Sequence, residues 1–291
     1  MFPDIYEGNL FRPPSEAYSL ILQATIGCSW DRCTFCTAFK GKHFRIKSFE
    51  EIARDVEKVL PQFGRTRRIF LADANALCMP TDELEKVIEH LYASFPALER
   101  VAIYGGPRDI AEKSVEELTR LREAGLKLVY FGLESGSDQV LRKVRKGALS
   151  ETMIECAHKL KAAGLKLSSI FILGLGGEEL SEVHAQETAR VISAQDPDFA
   201  AGLTLMVEPG SGIEEEVREG RLTLLNPEQV LQELRVIVEG LELTNTMFRT
   251  NHASNYAGLG GTLPRDKLRI LEAIDAALAQ GNFKAERFRR L

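Results

Sequence analysis

Six apolar segments that alternate with amphipathic segments predict an α/β fold, a partial (β/α)6 TIM-like barrel with a C-terminal α-rich extension. The apolar segments are nearly continuous, which is typical of parallel strands covered on both faces. The first of them is followed by a loop with three cysteines, where a doubly wound dinucleotide-binding sheet would carry a G-x-G-x-x-G turn. The sequence therefore favours a barrel, whose chemistry lies in the loops at the carboxyl ends of its strands.

The elements follow from periodicity and from the turn residues between them. The predicted strands are 20–26, 68–74, 101–106, 126–134, 165–176 and 199–208. The predicted helices of the core are 49–60, 81–95, 114–125, 137–147, 150–164 and 180–195. Ser48 opens the first helix with a capping box and Pro61 is expected to end it, while Gly125 is a C-terminal stop for the third.

The domain organisation has three predicted parts. Residues 1–18 form an extended arm and residues 19–208 form the (β/α)6 core. Residues 209–291 form an extension packed on the barrel, with helices at about 227–241 and 266–280 that flank a strand-like stretch and polar loop at 244–256.

The composition is that of an ordinary globular protein. Lys and Arg number 37 and Asp and Glu number 42, for a net charge of −5, and 44% of residues are hydrophobic. These values exclude collagen-like, disordered and disulfide-scaffold classes, and the acidic balance argues against a broad nucleic-acid surface. We expect no signal peptide and no membrane span, because no sufficiently long apolar run is present.

The cysteines point to a metal site rather than to disulfides. Cys28, Cys33 and Cys36 form a C-x4-C-x2-C loop after the first strand, a spacing that suits reduced thiolates in the cytoplasm. Three thiolates can hold three irons of a [4Fe–4S] cluster and leave the fourth iron open. The alternatives are a zinc site completed by a ligand such as His43, or a group of buried cysteines that bind no metal.

The three-cysteine loop after the first strand of a (β/α) chain, with Phe35 before its last cysteine, resembles the radical S-adenosylmethionine (radical SAM) superfamily. The commonest spacing there is C-x3-C-x2-C, so this loop is one residue longer. The segment Gly132-Leu133-Glu134-Ser135-Gly136-Ser137 resembles the branch that contains oxygen-independent coproporphyrinogen oxidases, methylthiotransferases and the catalytic subunit of Elongator. The resemblance implies a [4Fe–4S] cluster, SAM as cofactor, and an external one-electron reductant such as flavodoxin or ferredoxin.

The resemblance also implies which residues bind the cofactor. Asp73 occupies the place of a G-G-E-type motif that holds the methionine amino group, although it is the only acidic residue there. Glu134 and Ser135 would contact the ribose or methionine end, and Lys146 would pair with the methionine carboxylate. The further candidates are Phe35 beside the cluster and Gly174 and Gly176 beside the adenine. The alternatives are that Asp73 is a turn or cap residue and that Lys146 is solvated.

The candidates for chemistry on the substrate are less specific. His252 and Tyr256 lie in the polar stretch after the strand-like run and are candidates for substrate contact or proton transfer. Cys78 follows the second strand and is a candidate hydrogen donor or a small apolar filler, whereas Cys156 lies in an amphipathic helix and is expected in the core.

The sequence thus predicts a cytoplasmic radical SAM enzyme that acts on a small molecule or cofactor precursor. A tRNA-modifying enzyme is one alternative, which the acidic balance and the lack of an appended basic domain disfavour. A non-catalytic iron–sulfur or zinc protein that acts as a redox sensor is the other. Only an enzyme needs polar residues from several strand ends to converge on one pocket.

Overall fold

The computed structural model describes residues 4–289, and its elements alternate as the sequence predicts. The strands are β1 (Leu20–Gln23), β2 (Thr25–Ile26), β3 (Arg45–Ile46), β4 (Arg68–Ala72), β5 (Arg100–Gly105), β6 (Leu126–Glu134), β7 (Lys166–Leu173), β8 (Phe199–Thr204), β9 (Thr246–Arg249) and β10 (Gly260–Leu263). The helices are α1 (Phe49–Phe63), α2 (Thr81–Ser94), α3 (Pro107–Glu112), α4 (Val115–Ala124), α5 (Asp138–Lys143), α6 (Ser150–Ala162), α7 (Gly177–Gln195), α8 (Gly212–Arg218), α9 (Pro227–Gly240) and α10 (Lys267–Gln280).

The predicted helices and strands are present, except that the predicted strand 20–26 is divided into β1 and β2, and β2 pairs antiparallel with β3 in a separate two-stranded sheet. The capping box at Ser48 opens α1, but the helix continues past Pro61 to Phe63. The proline removes only its own N–H from the ladder, and Gly64 N–H still bonds to the carbonyl of Leu60 at 2.9 Å. The sequence did not predict α3, α8, β3 and β10, because elements of two to seven residues are too short to show an apolar periodicity.

The chain divides into two compact units, and the first comprises Met1–Asp31, Ala38–Phe131 and His158–Leu167. In it β1, β4, β5 and the first part of β6 pair in that order, all parallel. Helix α2 packs against both α1 and α4. The strands are mostly apolar, with polar residues such as Gln23 and Arg68 near their ends, and Ile69, Phe70 and Leu71 are fully buried. The burial of both faces explains why these strands read as continuous apolar runs.

The second unit comprises Arg32–Thr37, Gly132–Ala157 and Ser168–Leu291. In it β7, β8 and β9 pair in parallel and β10 pairs antiparallel with β9. Helix α9 packs between α7 and α10. The predicted strand-like stretch of the extension therefore forms β9, which joins the same sheet as β8. Among residues 4–289, no helix combines the length and the hydropathy needed to cross a membrane.

Candidate active site

Asp73 lies directly after β4, and groups of its own unit hold its carboxylate. Gln23, the last residue of β1, donates from Nε2 to Oδ1 at 3.2 Å. The Gly27 N–H and Lys42 Nζ donate to Oδ2 at 3.0 and 2.8 Å. The Asp73 side chain is fully buried and that of Lys42 is 12% exposed, so water screens the ion pair little. Asp73 therefore fastens the backbone immediately before Cys28.

Asn75 holds the backbone on the other side of Cys28. Its Oδ1 accepts the Ser29 N–H at 3.2 Å, and its Nδ2 donates to Ser29 Oγ and to both carboxylate oxygens of Asp109 at 3.1 Å. Burial raises the pKa of Asp109, against the opposing effect of hydrogen bonds from the Gly106 N–H and from Asn75. Two side chains of the loop after β4 thus fix both flanks of the first cysteine.

Cys78 closes a short 3-10 helix, Ala76–Cys78, in the same loop. Burial raises the pKa of its thiol to about 12, and the Asp109 carboxylate and the Cys28 sulfur add to the rise. Burial also lowers the pKa of the neighbouring Lys113, whose Nζ donates to the carbonyl of Met79 at 2.8 Å. Cys78 is therefore a neutral thiol at physiological pH, and its role as a hydrogen donor stays a prediction.

The three cysteines of the loop are reduced and partly exposed. In the first unit, Cys28 Sγ accepts the Asp31 N–H at 3.4 Å. In the second, the Cys36 N–H donates to the Cys33 carbonyl at 3.3 Å. Within the described residues, no three Cys, His, Asp or Glu side chains are grouped closely enough to hold a metal ion.

The segment between Cys33 and Cys36 is anchored to the second unit. Thr34 N–H donates to the Val144 carbonyl at 3.0 Å, and its own carbonyl accepts the Ile213 N–H at 3.0 Å. Phe35 packs against a buried apolar cluster made of Val140, Val144, Leu175, Ile213 and Leu222. Phe35 thus seats this part of the loop on the unit's core, and its contact with a cofactor stays a prediction.

Glu134 and Lys146 form an ion pair beside the cysteines of the same unit. Lys146 Nζ lies 2.8 Å from Glu134 Oε1, and each side chain is only 12% exposed. Burial alone would lower the pKa of Lys146, but Glu134, Cys33 and Cys36 together raise it, so the lysine stays charged. The alternative that Lys146 is solvated is therefore excluded, and its contact with SAM stays a prediction.

The backbone conformation at Glu134 and the absence of a side chain at Gly132 allow this ion pair to form. Glu134 has a φ of 63°, in the left-handed region that residues with side chains rarely adopt. A Cβ on Gly132 would lie 2.2 Å from Glu134 Oε1 and 3.0 Å from Lys146 Nζ. Only glycine at position 132 leaves room for the pair.

Ser135 points away from Glu134 into the interior. Its Oγ accepts the Ser137 N–H at 3.0 Å and lies 2.8 Å from His184 Nδ1, and Ser135 and His184 are fully buried. Ser137 caps α5, since its side chain accepts the Val140 N–H. The side chain of Ser135 is fully buried, and its contact with SAM stays a prediction.

The glycine turn after β7 uses its glycines for backbone geometry. Gly174 and Gly177 have φ of 78° and 64°, and a Cβ on Gly177 would lie 2.5 Å from Leu222 Cδ1. A Cβ on Gly176 would lie 3.1 Å from the backbone of Leu180, the next turn of α7. The turn therefore requires glycine for packing, whatever it also binds.

The loop with His252 and Tyr256 is tied to the C-terminal segment. His252 Nδ1 accepts the Ser254 N–H at 3.1 Å, and burial and Lys284 lower the pKa of its imidazole. The hydroxyl of Tyr256 accepts from Arg289 Nη1 at 2.6 Å and donates to Glu286 at 2.9 Å. Burial raises the pKa of Tyr256 to about 12. Catalytic roles for His252 and Tyr256 stay predictions.

Several polar residues were not among the candidates predicted from the sequence. The polar groups that the structure adds are Gln23, Lys42, Asn75, Asp109, His184 and Glu233. Asn75 and Asp109 follow strands, so a strict rule that polar residues after strand ends are functional would have found them. Glu233 and His184 lie inside amphipathic helices, where sequence gives no such signal.

Comparisons with known proteins identify sequences that are similar to this chain. The sequence profile described as "Radical SAM superfamily" matches residues 22–187, more than half of the chain. An uncharacterized methyltransferase of Pyrococcus horikoshii is 27% identical over 209 residues, which are 70% of this chain and 43% of that protein. A tRNA-2-methylthio-N(6)-dimethylallyladenosine synthase of Bordetella avium is 26% identical over 223 residues, 72% of this chain and 46% of that protein.

The fold is shared with solved structures. The radical S-adenosylmethionine methyltransferase TsrM of Kitasatospora setae superposes with a TM-score of 0.57 at 16% identity, over 74% of this chain and 44% of that one. The predicted fold class, a partial TIM-like α/β barrel, is thereby confirmed. The chain spans less than half the length of each of these three proteins.

Proposed function

The chain belongs to the radical SAM enzyme superfamily, and we propose that Cys28, Cys33 and Cys36 hold a [4Fe–4S] cluster whose open iron binds SAM. The chemistry of the donor set fits this group, because three soft thiolates are what a cluster with one open iron requires. The observation that carries the proposal is the charged Lys146, buried with Glu134 and close enough to Cys33 and Cys36 for their charges to raise its pKa. A fixed cation compensates the negative charge of cluster thiolates.

When bound, the cluster and SAM supply one-electron cleavage of the sulfonium, which releases methionine and a 5′-deoxyadenosyl radical able to take hydrogen from a substrate. The electron comes from an external reductant such as flavodoxin or ferredoxin. The residues of the chain bind and orient these groups. Lys146 can pair with the methionine carboxylate, and Glu134 can accept from the amino or ribose groups of SAM.

Asp73 supports the site in a different way from Glu134. Both of its carboxylate oxygens already accept hydrogen bonds from the protein, and those bonds fix the approach to Cys28. We propose that its main role is to hold the cysteine loop. A direct contact with the SAM amino group uses a remaining lone pair of the carboxylate, since a carboxylate can accept about four hydrogen bonds.

The proposed substrate is a small molecule or cofactor precursor. The net charge of −5 does not favour a polyanionic tRNA, which argues against the reaction of the tRNA-modifying relative. His252 and Tyr256 are the proposed groups for substrate contact, and Cys78, as a neutral thiol, is a proposed hydrogen donor.

The test is anaerobic purification, reconstitution with iron and sulfide, and reduction in the presence of SAM, followed by measurement of 5′-deoxyadenosine. We expect 5′-deoxyadenosine from the wild-type protein and none from the triple variant Cys28→Ala, Cys33→Ala, Cys36→Ala. The matched control is Cys156→Ala, because Cys156 is buried in α6 and lies outside the loop. The control should retain both the iron content and the product.

The competing redox-sensor function gives a different result. A protein of that kind forms a reducible cluster whose EPR signal does not change when SAM is added, and it makes no 5′-deoxyadenosine. That outcome would overturn the proposed enzymatic function while leaving the cluster assignment intact.

A further inference from the structure

We infer that Glu233 and His184 act as positioning residues that hold the glycine turn after β7 and the Glu134–Ser135 segment in the geometry that binds SAM. The two side chains, which we call the internal brace, come from α9 and α7 of the second unit. The inference rests on the proposed function, because it assigns these residues a role in binding SAM.

Glu233 lies in the interior of the second unit, and its carboxylate accepts a hydrogen bond from the glycine turn. Its side chain is fully buried, and its Oε1 accepts the N–H of Gly174 at 2.6 Å. Its Oε2 accepts the hydroxyl of Ser181 at 2.5 Å. A short bond from a charged acceptor to a backbone amide is stronger than one between neutral groups. Glu233 thus fixes the first residue of a turn whose φ of 78° is available mainly to glycine.

His184 lies between the Glu233 carboxylate and the segment after β6. Its Nδ1 lies within hydrogen-bond distance of Ser135 Oγ, at 2.8 Å, whereas its Nε2 faces Glu233 Oε1 at 3.6 Å, which is beyond a hydrogen bond. Burial lowers the pKa of His184, so its ring is neutral at pH 7. An unprotonated Nε2 would turn its lone pair toward a carboxylate, so the favoured tautomer carries the proton on Nε2 and accepts the Ser135 hydroxyl at Nδ1.

The segment after β6 also packs closely against helix α7. The N–H of Gly136 donates to Thr188 Oγ1 at 3.0 Å, and a Cβ on Gly136 would lie 2.1 Å from the carbonyl oxygen of Glu187. This close approach, together with the bond between Ser135 and His184, leaves the segment little freedom. The neighbouring Glu134 is therefore held with its carboxylate toward Lys146.

The test compares four proteins: wild type, Glu233→Leu, Glu233→Gln and, as a matched control on the same helix, Glu239→Leu. Glu239 is exposed and pairs with Arg235, outside the brace. Two quantities are measured, namely hydrogen exchange at the amides of residues 173–178 without SAM, and the Kd for SAM of the reconstituted protein by equilibrium dialysis. Iron content and thermal unfolding are recorded for each variant.

We expect Glu233→Leu to speed exchange at Gly174 and to raise the Kd for SAM about tenfold, since it leaves a buried amide without its acceptor. Glu233→Gln keeps a carbonyl oxygen for that amide and should stay near wild type, as should Glu239→Leu. Iron content should be unchanged in all four. If Glu233→Leu does not fold, Glu233→Asp draws the carboxylate back by one methylene and should shift both readouts the same way by a smaller factor.

Two outcomes contradict the inference, and they differ from each other. If the wild-type protein binds SAM and a folded Glu233→Leu variant binds it equally well, the role of the internal brace is refuted and the proposed function is not. A wild-type protein that takes up iron but binds no SAM removes the proposed function, and the inference with it.

Discussion

The ion pair between Lys42 and Asp73 offers a quantitative test of how the cysteine loop is held. The change is a double-mutant cycle made of Lys42→Met, Asp73→Asn and the double variant. Lys42→Met leaves a fully buried carboxylate with only the neutral donors of Gln23 and Gly27. Asp73→Asn removes the charge that balances the ammonium and turns an N–H donor toward Lys42 or the Gly27 amide.

The expected size of each effect follows from burial. Breaking a buried pair by removing one partner costs about 3 kcal/mol of unfolding free energy, because the remaining charge is left uncompensated. The coupling between the two sites should be about 2 kcal/mol, so the double variant is more stable than the sum of the single effects predicts. In a chain of 291 residues, each single variant should lower the Tm by about 5 °C.

Thermal unfolding and iron content after reconstitution are the two measurements. The single variants should take up less iron, because Asp73 fixes the backbone before Cys28. Single effects below about 0.5 kcal/mol, or strictly additive effects, would refute the reasoning. If the double variant regains stability and iron but binds SAM weakly, Asp73 contacts SAM in addition to holding the loop.

The further predictions concern three single sites. Gly132→Ala should displace the Glu134 carboxylate from its ion pair, since the new Cβ falls 2.2 Å from Oε1, and a weaker Kd for SAM with unchanged iron content checks this. Cys78 should react with iodoacetamide at pH 8 at least about a hundredfold more slowly than in urea, because burial raises its pKa to about 12; equal rates measured by mass spectrometry would contradict that burial. Its burial also favours the protonated thiol, so its contribution to stability should fall as the pH rises from about 9 toward 12. Arg289→Met removes the donor to Tyr256 and to buried carbonyls and should lower the unfolding free energy by about 2 kcal/mol, whereas a Tm equal to that of wild type would show that the C-terminal segment is not fastened there.

The sequence by itself determined the fold class, and it supplied the prediction that Cys28, Cys33 and Cys36 bind a metal cluster. Strands with both faces covered are mostly apolar and the helices between them are amphipathic, so the alternation of the two patterns along the chain predicts the architecture. The cysteine spacing is a local property of one loop, and it needs no tertiary information to suggest a cluster. The segment from Gly132 to Ser137 is similarly local, and its capping residue and glycines act where the sequence places them.

Only the tertiary structure decided what the charged side chains do. Lys42 and Asp73 are 31 residues apart and Gly174 and Glu233 are 59 residues apart, so no window of sequence contains either contact. Lys146 could have been a solvated surface residue by sequence, and burial beside Glu134 makes it a fixed cation. Electrostatic character depends on which groups folding brings together and on how much water it removes, and both are properties of long-range packing rather than of local pattern.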